Sequence, residues 1–350
     1  MMQLIRTALI VICLLSAIAV QASTPYQMNR LGFLPGDGHS AALSINSAGD
    51  VVGYSVSYNE FSNGITGAFL WDRTSGMVDI RVEDQFDVPG DINSNGQIAG
   101  TAYGPSTAVL RKANGELVQL SPLAEGAYGT FAYALNDNGW VVGTSGDYAV
   151  AWQGTTTAQW IGGASDSRSH ATDINSDGSI VWYESLYSQY QWIGGRSYVW
   201  SDGVSTLLRG LNITDNCYVN AINDSGITVG SSGNHAVAWG ADGSLIADLG
   251  IGTAYGINNL GQIVGTAGDS AWLWSIDGTI SVDLGSLAGT GVPSEAYDVN
   301  DSGQVVGAAG YNEYQDMEAV LWETVPEPSS LIAIAGGLAG MGASLLRRRR

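Results

Sequence analysis

The sequence predicts an all-β fold: a seven-bladed β-propeller of repeats about 42 residues long, closed by its own N-terminal strand and followed by a C-terminal transmembrane helix. Three observations predict it. One short pattern recurs seven times, each copy has room for four short strands, and the last copy lacks a strand that is found at the beginning of the chain.

The pattern is an apolar residue, Asn, two variable residues and Gly. It occurs at Ile45-Asn46 to Gly49, Ile92-Asn93 to Gly96, Leu135-Asn136 to Gly139, Ile174-Asn175 to Gly178, Ile222-Asn223 to Gly226, Ile257-Asn258 to Gly261 and Val299-Asn300 to Gly303. Asn at the start of a type I turn bonds its own backbone, and Gly supplies the left-handed residue of a three-residue hairpin loop. β-Branched flanks such as Val305-Val306 make the arms strands. A second Gly recurs four residues later, at Gly53, Gly100, Gly143, Gly230, Gly265 and Gly307, with Trp182 in its place in the fourth unit. Further on comes a Trp, at Trp71, Trp152, Trp200, Trp239, Trp274 and Trp322, with Leu110 in the second unit. It opens a second hairpin whose turn is often Asn-Gly or Asp-Gly, as in Asn114-Gly115 and Asp242-Gly243.

A β-solenoid is the rival architecture, since any stacked repeat buries a continuous core. The seventh unit stops after Val320-Leu321-Trp322, and its absent fourth strand reappears as Leu31-Gly32-Phe33-Leu34-Pro35-Gly36, which parallels Leu284-Gly285-Ser286-Leu287-Ala288-Gly289. A ring needs that overlap to close without exposed edges, and a solenoid does not.

Residues 1–22 read as a signal peptide, with Arg6, an apolar run from Ala8 to Leu15, and Val20-Gln21-Ala22 for cleavage. Residues 23–325 hold the repeats. Residues 326–350 form a tail: Pro326-Glu327-Pro328, the uncharged apolar segment 329–346 that spans a bilayer as a helix, and four arginines. Cys13 leaves with the leader, so Cys217 is the exported cysteine and no internal disulfide is possible.

The chain has 33 acidic and 13 basic residues; Glu327 and five arginines belong to the ends, which leaves 32 against eight and a formal charge of −24 for the body. That excludes nucleic acid, which needs clustered Lys and Arg, and anionic membrane surfaces. His39, His170 and His235 have no metal-ligand spacing, and no Gly-x-Ser-x-Gly elbow, His-Glu-x-x-His helix or phosphate loop occurs, so no catalytic residue is assigned and no cofactor is expected.

Two features of the fourth unit are candidates for sites. Asp173, Asn175, Asp177 and Glu184 satisfy the spacing of an EF-hand Ca²⁺ loop, although Asn175 and Gly178 already belong to the repeat's turn. Trp182, Tyr183, Tyr187, Tyr190 and Trp192 make an aromatic run with a longer loop than its counterparts, suited to stacking on sugar rings or to packing between blades.

Two resemblances follow from these residues. The tail, through Val325-Pro326-Glu327-Pro328-Ser329, resembles the PEP-CTERM sorting signal of Gram-negative bacteria. That resemblance implies processing by an exosortase, a transient inner-membrane anchor, delivery to the cell surface or medium, and an association with exopolysaccharide. The repeats, through Ala254-Tyr255-Gly256-Ile257-Asn258 to Gly265 and Ala271-Trp272-Leu273-Trp274, resemble the HAF family of extracellular repeats, which is defined by repeat and location. The expected function is a non-enzymatic surface or matrix protein that binds exopolysaccharide or another surface protein. The alternatives are a carbohydrate-active enzyme on a propeller scaffold and a Ca²⁺-dependent adhesion module.

Overall fold

A computed structural model describes residues 26–325 apart from 58–64, 83–84, 103, 105, 126, 164–166, 189–190, 289–290 and 311–315. The signal peptide, the sorting motif Pro326-Glu327-Pro328, the helix 329–346 and Tyr190 therefore lie outside the described residues. Met28–Trp322 forms one compact unit. The chain ends, 1–27 and 323–350, group separately, and of these only 26–27 and 323–325 are described. Among the described residues no helix is long and apolar enough to cross a membrane.

The strands form seven four-stranded antiparallel sheets, blades I to VII, covering 39–79, 88–119, 130–162, 167–207, 217–251, 253–283 and 294–324. Six blades are consecutive meanders. The seventh takes three strands from the end of the chain and its outer strand, Tyr26–Gly32, from the start. The first strand of each blade touches the first strands on both sides, and that of blade VII touches that of blade I. This is a closed ring with the first strands innermost, so the solenoid is set aside in favour of the propeller.

The turn chemistry is as the sequence demands. In blade I the Asn46 carbonyl accepts Gly49 N at 3.1 Å, and Gly49 has φ +86°. Asn46 Oδ1 accepts the amides of Ala48 and Asp50 at 3.0 and 2.9 Å. The second recurrent Gly has a separate cause. Just before each Asn the inner strand carries a β-bulge, which swings one carbonyl against the second strand. A Cβ at Gly143 would lie 1.9 Å from the Phe131 carbonyl oxygen, and one at Gly230 would lie 2.0 Å from that of Tyr218.

The asparagines also do something the repeat pattern does not reveal. Asn46 Nδ2 donates to the carbonyl of Asn93, Asn93 to Asn136, Asn136 to Asn175, Asn175 to Asn223, Asn223 to Asn258, Asn258 to Asn300, and Asn300 back to Asn46. These seven bonds measure 2.9–3.2 Å, and every donor side chain is buried. One side chain thus caps its own turn through oxygen and ties its blade to the next through nitrogen, in a cycle with no loose end.

The repeat tryptophans join blades farther out. The indoles of Trp152, Trp239 and Trp322 are fully buried and donate to the carbonyls of Ser121, Arg209 and Leu284, each just beyond the outer strand of the preceding blade. Between blades VII and I the core gathers Leu31 and Leu34 from the N-terminal segment with Phe69, Ala319 and Leu321. Arg30 forms a bidentate ion pair with Glu318, whose side chain is 2% exposed.

Candidate functional site

The bulges decide what faces the central channel. In blades II, IV and VII the residue two before the Asn is an acid: Asp91, Asp173 and Asp298. Each carboxylate bonds two backbone amides, its own successor's and the equivalent one in the next blade. Asp91 takes Ile92 and Leu135, Asp173 takes Ile174 and Ile222, and Asp298 takes Val299 and Ile45, all at 2.7–3.0 Å. Three acids therefore serve six of the seven bulged amides. Ser44 completes the link: its hydroxyl donates to Asp91 at 2.6 Å and lies 3.0 Å from Asp298.

Although they come from non-adjacent blades, the three carboxylates feel one another across the channel. Burial, followed by the Asp91 charge, pushes Asp298 up to about 6, and the same causes hold Asp173 well above the usual carboxylate range. Burial likewise raises Asp91. Because these folded-state values lie above those of the unfolded chain, the stability they contribute is complete below the unfolded pKa and is lost as pH rises through about 6. Asp277, held down to about 2 by bonds from Ser275 and Thr279, acts oppositely in acid. Thermal melts are expected to show Tm rising as pH falls from about 7 to a maximum near pH 4, with Asp298 alone worth roughly 1–3 kcal/mol, and falling in stronger acid.

The two ends of the channel differ. At the Asn turns the ring closes over a small polar depression of about 250 Å³, lined by the seven asparagines and their neighbours. Towards the opposite face the wall is aromatic. Tyr133, three residues before its Asn, lies 6.2 Å from the His170 ring; His170 stacks on Tyr183 at 5.0 Å; and Tyr183 meets Tyr218 edge-on at 5.5 Å. The Trp192 indole lies beside Tyr218, and Tyr187 carries the Arg168 guanidinium 5.5 Å above its ring. Burial, then the Arg168 charge, lowers the His170 pKa. On the other side Tyr255 and Tyr297 stand 5.8 Å apart, beside Tyr54, and Tyr297 donates to Glu295.

Of the aromatic residues singled out in the sequence, Tyr183, Tyr187 and Trp192 come together in this wall, and Trp192 is 50% exposed. Trp182 does not: it is 5% exposed, stacked on Tyr198 at 4.3 Å, and packed over Gly162 in the interface between blades III and IV. Successive strand residues point to opposite faces, so 182 and 183 cannot share a surface. Sequence reasoning missed Tyr133, His170 and Tyr218. Their signal is positional, since they stand three or five residues before an Asn. Beside this wall the long hairpin of blade IV overhangs a cleft of about 660 Å³ lined by Leu186, Ile193, Leu207 and Ile213.

The EF-hand spacing is corrected by the geometry. Asp173 is bound to amides in the channel, Asn175 belongs to the asparagine cycle, Asp177 lies on the exposed turn, and Glu184 is buried and accepts the Tyr198 hydroxyl at 2.8 Å. These four side chains do not converge because the segment is a hairpin turn and not a loop between helices. Among the described residues no group of three or more His, Cys, Asp or Glu is placed to hold a metal ion. Cys217 is buried and free, with its thiol pushed up by burial.

Comparison with known proteins bears on both ends of the argument. Residues 324–350 match the family described as the PEP-CTERM protein-sorting motif. No curated protein matches the chain. Among solved structures the chain is similar to streptogramin B lyase, at 13% identity and TM-score 0.58, covering 86% of this chain and 99% of that one. It is also similar to catalytically inactive virginiamycin B lyase from Staphylococcus aureus with quinupristin, at 11% identity and TM-score 0.60, covering 86% and 100%. YCF48 bound to D1 peptide aligns at 10% identity and TM-score 0.53, covering 87% and 99%. Likeness at that identity is a likeness of fold alone. The tail marks the chain for export and sorting to the cell surface, and motifs of this kind are processed by exosortase, a membrane protease.

Proposed function

We propose that this protein is a non-enzymatic extracellular binding module whose ligand is an exopolysaccharide, held at the aromatic mouth of the propeller channel. The sorting tail supports the location, with its apolar segment serving as a transient inner-membrane anchor until exosortase processing. The carrying observation is the convergence of Tyr133, His170, Tyr183, Tyr187, Tyr218 and Trp192 from three blades on one rim. Sugar rings present faces of C–H groups that pack on aromatic planes, and tyrosine hydroxyls around them supply hydrogen bonds. The adjoining cleft gives a chain room to continue. Binding suits the channel better than catalysis because the three central carboxylates are each committed to two backbone amides.

The test is a glycan-binding screen of the exported protein with and without Ca²⁺. Binding is expected under both conditions, without release of shorter saccharides, and Tyr183→Ala or Trp192→Ala should weaken it about tenfold, as loss of one stacked ring implies. Failure to bind any glycan under either condition, or full affinity in both variants, would overturn the proposal.

A further inference from the structure

The saccharide reading can be carried to a chemical class. The inward positions of the seven inner strands, five, three and two residues before each Asn, hold four acids, Asp91, Asp173, Glu295 and Asp298, and neither a Lys nor an Arg. All eight Lys and Arg residues of the body stand at other positions, Arg196 and Arg209 among them lining the adjoining cleft with Asp215. Arg168, at the rim, is paired with Asp147 at 3.5 Å. On the side of the channel opposite blade IV, Tyr54 and Tyr255 from blades I and VI stand beside Tyr297 of blade VII, whose hydroxyl donates to Glu295, and Tyr54 also stacks on His39 at 6.2 Å. The Tyr255 and Tyr297 rings are tilted by 53° with centroids 5.8 Å apart, and all three phenols are half-buried.

Tilted aromatic faces beside a carboxylate are the chemistry that recognises an ammonium group, because each ring presents negative quadrupole density to the cation. A neutral sugar would use the stacking faces and leave the acidity without a role. An anionic sugar would meet Glu295 beside the tyrosines, and the one base at these inward positions, His170, has its proton affinity lowered by burial and the Arg168 charge. We propose, resting on the saccharide reading above, that the channel takes a basic amino sugar, with the ammonium group seated among Tyr54, Tyr255, Tyr297 and Glu295. The strong acidity of the body then acts as attraction towards a cationic chain.

The experiment is calorimetric titration of the exported protein with a glucosamine hexasaccharide and with its fully N-acetylated counterpart, at mildly acidic pH and low salt. The two probes share a backbone and differ in charge. The free-amine chain is expected to bind about tenfold more tightly, and the preference should shrink several-fold in Glu295→Gln and as salt rises. Thermal melting of Glu295→Gln checks that the isosteric variant is folded. Equal affinity for the two probes would overturn the amino-sugar assignment and leave the saccharide reading standing. An amine preference unchanged in Glu295→Gln would also overturn it, because general attraction to an acidic surface does not depend on one carboxylate. Binding of neither probe would count against both.

Discussion

Deletion of residues 26–36 is expected to abolish the cooperative thermal transition of the whole propeller, and not merely to trim one blade. The deletion strips the outer strand from blade VII. It takes Arg30 from its bidentate pair with Glu318 and opens that carboxylate to solvent along the vacated strand edge. It also removes Leu31 and Leu34, 7% and 6% exposed, from the core between blades VII and I, at about 2–5 kcal/mol each. With the lost strand pairing these are comparable to the roughly 5–15 kcal/mol by which folded domains are stable. Calorimetry would show it, and a melting curve equal to that of the intact protein would refute closure by this strand.

The second large effect concerns the asparagine cycle and separates its two roles. Asn136 accepts the amides of Asn138 and Trp140 at 3.1 Å, and donates to the Asn175 carbonyl at 3.0 Å. Asn136→Ala loses all three bonds and is expected to lower stability by about 3 kcal/mol. Asn136→Asp keeps the turn acceptors but replaces the donor with a charge facing a carbonyl, so it should fare no better than alanine. If the turn alone mattered, the aspartate variant would melt close to the natural protein. Denaturant unfolding of the two variants decides between these outcomes, and the aspartate variant carries the decision.

What the sequence made legible was local or periodic. The Asn and Gly of each turn lie within four residues of one hairpin, and the N-terminal strand was recognisable as the missing fourth strand of the last unit. What it hid was the partner across a blade boundary. The amide group of Asn136 is needed for its turn, so nothing in the repeat shows that its nitrogen serves a carbonyl 39 residues away. Asp173 matched a Ca²⁺ spacing through its neighbours, whereas its decisive partner is Ile222 N, 49 residues on. The aromatic run of blade IV suggested a surface, but strand alternation sends Trp182 inward and Tyr183 to the channel, where residues from blades III and V complete the wall. Those additions are scattered along the chain and share only their distance from an Asn.

The acidity receives a structural reading on the same grounds. Three of the acids stand in the channel because each holds two bulged amides, and they do so at the expense of raised proton affinity. The Asn end is tied by its cycle of bonds around a small polar depression, whereas the aromatic end is an open face with exposed rings such as Trp192.

Hydrogen–deuterium exchange with and without a saturating glycan tests most directly whether that open face is where the protein works. Protection is expected to increase in segments 167–188, 191–197 and 216–219, which carry His170, Tyr183, Tyr187, Trp192 and Tyr218, while the seven Asn-x-x-Gly turns stay unchanged. Protection confined to those turns or to the outer strands of the blades would contradict the account.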